Sequence, residues 1–183
     1  MNYFALFTDV SLDPVRKLGM GAFLVVPMKT PETLPDSIEK SIISELVGLK
    51  KFEKSSSAKL EVQTVLWALD GLWKGLKVSE PVKLSLYTDS QCVAGLMKRR
   101  KTLEEKAYIS SKTKCLLRNA PLYQAFYKFY DDLGFEIIKV KGHTRSASRD
   151  RAHCIFSMLD KEVRKGFRQW MSEVDLGTPC RIV

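Results

Sequence analysis

Asp9 and Asp89 each sit at or near the end of a hydrophobic, β-rich run, Tyr3–Val10 (YFALFTDV) and Val82–Asp89 (VKLSLYTD). A sheet that lays these two strands side by side brings their carboxylates together, where mutual repulsion is costly unless a cation neutralises it. Glu61 lies between them in sequence, in Lys59–Leu69 (KLEVQTVLWAL), an amphipathic stretch whose early turns supply a third oxygen. Acidic oxygens with few nitrogens or thiolates suit a hard cation, Mg²⁺ or Mn²⁺.

The elements that must position these groups follow from periodicity and punctuation. Tyr3–Val10 reads as a central strand, and the Pro and Gly of Leu12–Gly21 turn it into a second, Gly21–Pro27, paired as a hairpin. Lys29–Asp36, with Pro31 and Pro35, is a surface connection, and Ser41–Phe52 is taken as a third strand, with a short helix as the alternative. Leu60, Val65, Leu66, Leu69, Leu72, Trp73 and Leu76 recur at helical spacing behind the serines Ser55–Ser57, until Gly75 and Pro81 end the pattern. Val82–Thr88 is a strand and Asp89-Ser90 opens a short helix through Val93, Leu96 and Met97. Lys98–Lys114 is strongly basic and reads as an exposed insertion with some helical content. A helix over Pro121–Leu133 stopped by Gly134, a last strand Phe135–Val140, a Gly-Ser loop Lys141–Ser148 and a long helix Arg149–Val174 complete the chain. The alternation of strand and helix predicts an α/β fold, a mixed sheet of five strands with helices on both faces. Residues 1–175 form one domain and 176–183 a tail.

The 183 residues are 45% hydrophobic and 28% charged, ordinary for a globular chain. Lys and Arg number 30 against 21 Asp and Glu, a net charge of +9, which suits a polyanionic partner. The bland alternative is a basic soluble protein. No apolar run approaches the ~20 residues that span a bilayer, and Met1–Val10 lacks a signal-peptide pattern, so no membrane partner is expected and the cytoplasm is the default compartment. Cys92, Cys115, Cys154 and Cys180 are scattered with no C-x-x-C pair, which argues against a zinc knuckle or redox pair and for free thiols.

Four segments in order resemble the ribonuclease H family. Phe7–Ser11 (FTDVS) is like its first-strand Asp, Ser57–Ala68 (SAKLEVQTVLWA) like its helix-borne Glu, Leu86–Gln91 (LYTDSQ) like its second Asp, and Val140–His143 (VKGH) like the strand-end Gly-His before its last acidic position. The resemblance covers Tyr3 to about Leu159. It implies the ribonuclease H-like fold and metal-dependent endonucleolytic hydrolysis of the RNA strand of RNA–DNA hybrids. Two Mg²⁺ ions, with Mn²⁺ possible, would be held by Asp9, Glu61, Asp89 and a fourth residue, about 3.5–4 Å apart, one activating the attacking water and the other stabilising the leaving 3′ oxygen. His143 would carry protons for the water or for product release.

The departure from the family pattern comes after His143. The family's last Asp stands ten positions beyond its His, where this chain has His153, whereas Asp150 lies seven beyond. Either the loop is shorter and Asp150 completes the site, or the register is kept and His153 does; an anionic oxygen suits Mg²⁺ better, which favours Asp150. Asp160 reads as an intrahelical partner of Arg164 at i,i+4 rather than a ligand.

The resemblance also implies recognition of the RNA strand through its 2′-hydroxyls by small polar groups, for which Ser11, Ser57 and Gln91 beside the matched ligands are the candidates; local capping is their ordinary explanation. Lys98, Arg99 and Arg100, with Lys101, Lys112 and Lys114, form the densest basic stretch and would meet DNA-strand phosphates. The aromatic-rich helix Leu122–Tyr130 fits core packing better than base stacking. A monomer is expected. The alternatives are a nuclease for DNA or structured nucleic acid on the same fold, and a catalytically silent nucleic-acid-binding module that keeps the Arg-rich loop Arg145–Arg151.

Overall fold

A computed structural model describes residues 2–30, 33–35, 40–75, 81–140 and 150–177. Strand β1 (Asn2–Asp13) turns back through the hairpin into β2 (Leu18–Met28), with Asp9 opposite Ala22. Helix α1 (Lys40–Leu46) leads to β3 (Gly48–Phe52), α2 (Ser57–Gly75) and β4 (Val82–Thr88). After β4 come α3 (Gln91–Ala94), α4 (Leu96–Glu105), α5 (Ala120–Leu133), β5 (Glu136–Lys139) and α6 (Arg151–Asp175). The sheet runs β3-β2-β1-β4-β5, antiparallel on the β2 side of β1 and parallel from β1 through β4 to β5. This is the mixed five-stranded α/β architecture that the element order implies.

Strand periodicity divides the core into two layers. Ala5 and Phe7 of β1 face α6 with Ala22, Leu24 and Tyr87, and meet its buried stripe Ile155, Phe156, Leu159, Val163 and Trp170. Leu6, with Leu84 and Leu86, faces the other way, onto Val62, Val65 and Leu69 of α2 and Phe126 and Tyr127 of α5. Both central strands are covered on both faces, so their apolar runs are nearly continuous. Gly21 lets α2 come this close: a Cβ there would run into the Thr64 side chain. Gly134 ends α5 in the left-handed conformation (φ 60°), its N–H donating to the Tyr130 carbonyl at 2.8 Å, as a C-terminal glycine does.

Ser41–Phe52 departs from the expected single strand. Lys40–Leu46 is helical, the Val47 N–H closing its last turn on the Ile43 carbonyl at 2.9 Å, and only Gly48–Phe52 pairs with β2. The helical turn sends Ile43 inward to full burial and leaves Ile42 and Leu46 exposed. A strand over the whole run would have alternated those faces. At Gly48 the strand begins beside Phe23, whose ring occupies the space a Cβ would need. The basic insertion is helical through Glu105 and continues as turns with an Ile109–Leu116 bridge. Among the described residues no helix is long and apolar enough to cross a membrane.

Candidate active site

β1 and β4 are hydrogen-bonded in parallel with Phe7 opposite Tyr87, and the two rings stack, centroids 4.6 Å apart and planes 14° from parallel. Two residues further along come Asp9, still in β1, and Asp89, just past the end of β4. There β4 ends, and a small open hollow is lined by Thr8, Asp9, Val10, Glu61, Thr88, Asp89 and Ser90. The three carboxylates that the sequence singles out therefore line one hollow, contributed by β1, the start of α2 and the turn after β4.

Asp9 is only 9% exposed. Its Oδ1 accepts from the Val10 N–H at 2.8 Å, while Oδ2 is buried with no hydrogen-bond partner. Burial pushes its pKa from the ordinary 3.8 up to about 7; the Val10 N–H pulls it down, the charges of Asp89 and Asp160 raise it and Arg164 lowers it. Desolvation and like charge act together to make an anion here costly without a counter-ion. Glu61 is held at both oxygens by serines. Ser57 Oγ donates to Oε1 at 3.1 Å, and Ser90 Oγ donates to Oε2 in a short hydrogen bond. Ser90 Oγ also accepts from the Val93 N–H at 3.1 Å as the N-cap of α3.

Asp150, His153, Asp160 and Arg164 stand at the start of α6 and along it. Asp150 is its N-cap, and its Oδ1 accepts from the His153 N–H at 2.9 Å and pairs with His153 Nδ1 at 2.7 Å. These contacts, the backbone one foremost, hold the Asp150 carboxyl below the usual range. A carboxylate can only accept, so Nδ1 carries the proton, and Nε2 is left buried without a partner. Asp160 pairs with Arg164 (2.6 Å), the i,i+4 bridge its spacing predicts. Besides stapling their own helix, both also act on Asp9 through their charges, Asp160 raising its pKa and Arg164 lowering it. Sequence reading passed over that second role. The signal was available: Asp160 falls between Phe156 and Val163 on the inward stripe of α6, where an acidic residue needs a reason.

The remaining candidates separate. Ser11 is half-buried on β1, Ser57 is engaged by Glu61, and Gln91 is exposed at the start of α3. Lys98 and Arg99 are exposed; the Arg99 guanidinium donates to the Cys92 carbonyl at 2.9 Å and lies 5.7 Å from the Tyr123 ring centroid. Arg100 is committed within the protein, bidentate to Asp131 at 2.6 and 2.7 Å and bonded to Glu104 at 2.8 Å, which clamps α4 to α5. Tyr123, Phe126 and Tyr127 are buried, as core packing requires. His143 and Arg145 lie outside the described residues.

No family model matches the sequence, and no curated protein does. Solved structures do. The chain is similar to the PFV RNase H domain in solution, with 15% identity and a TM-score of 0.60 over 90% of this chain and 93% of that one. The fold is that of ribonuclease H. A similar ribonuclease H structure is LC9-RNase H1, described as a type 1 RNase H with the type 2 active-site motif, at 14% identity and a TM-score of 0.58, over 88% of this chain and 74% of that one. A foamy viral protease-reverse transcriptase in complex with dsDNA matches at 10% identity and a TM-score of 0.54, over 90% of this chain and 94% of that one. On this ribonuclease H fold, Asp9, Glu61 and Asp89 occupy the hollow where the central parallel strands end.

As they stand, no three acidic or histidine side chains among the described residues converge tightly enough to ligate one metal. The donor set still fits a hard cation: oxygens only, one of them an orphaned buried carboxylate oxygen.

Proposed function

We propose that the protein is a divalent-cation-dependent phosphodiesterase that cuts the RNA strand of RNA–DNA hybrids. One observation carries this reading: a buried carboxylate, Asp9, with a partnerless oxygen, sharing a hollow with Glu61 and Asp89 at the end of β4. Mg²⁺ or Mn²⁺ bound there would supply charge neutralisation and Lewis-acid activation at a phosphodiester. Asp9 and Asp89 would hold cations between them, and Glu61 would orient them from α2. Asp9 would ionise fully only with that partner present. His143 would carry protons for the attacking water or for product release.

For the fourth acidic position, the electrostatics support Asp160 over Asp150 or His153. The charge of Asp160 raises the Asp9 pKa, whereas the Asp150 carboxylate is used in capping α6 and holding His153. Asp160→Asn is therefore expected to weaken Mg²⁺ binding about 10-fold in calorimetry. Asp150→Ala instead costs about 0.5–2 kcal/mol of stability through the lost cap, with Mg²⁺ affinity nearly unchanged. The opposite pattern would return the fourth position to Asp150.

The net charge of +9 supports a nucleic-acid substrate, with Lys98 and Arg99 offered to the DNA strand and Ser11 and Gln91 to RNA 2′-hydroxyls. Arg100 is better explained as the α4–α5 clamp. A silent binding module is the second reading, favoured by the carboxylates' separation as they stand. The test is cleavage at matched salt of hybrid, double-stranded RNA, single-stranded RNA and double-stranded DNA. Cutting confined to the RNA strand of the hybrid is expected; preferential cutting of DNA would assign a different substrate to the same carboxylates.

A further inference from the structure

Ser90 makes two bonds that point in different directions. Its hydroxyl proton goes to Glu61 Oε2 on α2, and its lone pair receives the Val93 N–H of α3. The residue is 5% exposed, and its own N–H donates to Thr88 Oγ1 at 3.1 Å, which fixes the turn that also carries Asp89. Glu61 on α2 is thus tied by one hydroxyl to the turn that carries Asp89. A hydroxyl has a single proton, and accepting from the Val93 N–H directs it toward Glu61.

We propose that Ser90 is a positioning residue for the cation site: it sets the carboxylate of Glu61 relative to Asp89 and thereby raises divalent-cation affinity. This rests on the cation-binding reading above and deepens it. Ser57, the other partner of Glu61, lies one turn away on the same helix and can steady the side chain only against α2 itself. Ser90 alone, of the two, ties Glu61 to the segment bearing Asp89. Partners of this outer kind typically cost 10–100-fold in metal affinity when removed.

The test measures Mg²⁺ and Mn²⁺ affinity by calorimetry, and thermal stability separately, for wild type, Ser90→Ala, Ser90→Thr, Glu61→Gln and Ser90→Ala/Glu61→Gln. Ser90→Ala is expected to lose 10-fold or more in affinity, Ser90→Thr to restore most of it, and Ser90→Ala to cost nothing further once Glu61 is Gln. A role confined to capping α3 predicts lower stability in both backgrounds with the wild-type affinity kept, and that result overturns the proposal. Should the wild type bind neither cation, the cation reading itself fails, and this inference with it.

Discussion

Asp9→Asn is expected to abolish hybrid cleavage while making the cation-free protein more stable above neutral pH. The activity loss is on the order of 10³-fold or more, since the site loses several kcal/mol of charge stabilisation. The stability gain comes from the buried carboxyl. Its folded pKa, pushed to about 7 from 3.8 chiefly by burial, means the folded state keeps a proton that the unfolded state has released. The contribution to stability is fully present below about pH 4 and is lost as the pH rises through about 7. Three pH units at about 1.4 kcal/mol each set a ceiling on the order of 4 kcal/mol. Asp9→Asn removes that dependence. In EDTA at pH 8 its Tm should exceed that of wild type by several degrees, at about 2–4 °C per kcal/mol in a chain of this size, and the gap should close near pH 4. Saturating Mg²⁺ should raise the wild-type Tm and leave the variant's unmoved. A variant no more stable than wild type at pH 8 would contradict the strained, cation-seeking state of Asp9.

Phe7→Ala should cost about 3–5 kcal/mol, the range for deleting a buried aromatic ring. Phe7 is fully buried on the central strand and stacked on Tyr87. That stack lies two residues beneath both Asp9 and Asp89, so the void left by the ring lets the floor of the site shift as well as loosening the core. Loss of roughly 10 °C in Tm is expected, with hybrid cleavage impaired at temperatures where the variant is still folded. Chemical denaturation with urea measures the first effect and steady-state cleavage the second. A cost below about 1 kcal/mol would mean that the stack does not support the site.

Asp9 and Asp89 were legible because strand ends can be read from apolar runs, and the parallel ladder that ends at Phe7–Tyr87 leaves both carboxylates just beyond it. Glu61 was legible from its place in the first turns of a strongly periodic helix. The split of Ser41–Phe52 was not: a short apolar run of that length fits helix or strand equally, and the choice depended on the tertiary slot for Ile43 and the Phe23 ring beside Gly48. The influence of Asp160 on Asp9 is hidden in the sequence for a related reason. Asp160 and Arg164 satisfy each other locally, and nothing in i,i+4 spacing reveals that their charges also act on a buried carboxylate on another element. Asp150 and His153 drew attention by their distance from Gly-His, yet their contacts with each other are those of a helix start. The basic stretch was rightly read as exposed and partly helical, but Arg100 turned inward to Asp131, a partner distant in sequence.

The central claim is tested most directly by following cleavage of a strand-labelled RNA–DNA hybrid against Mg²⁺ concentration, for wild type and Asp89→Asn. Cutting of the RNA strand that saturates with Mg²⁺, stops in EDTA and is lost in Asp89→Asn is the predicted result. Tight hybrid binding with no cleavage at any Mg²⁺ or Mn²⁺ concentration, unchanged in Asp89→Asn, would contradict it and leave a nucleic-acid-binding module on a nuclease fold.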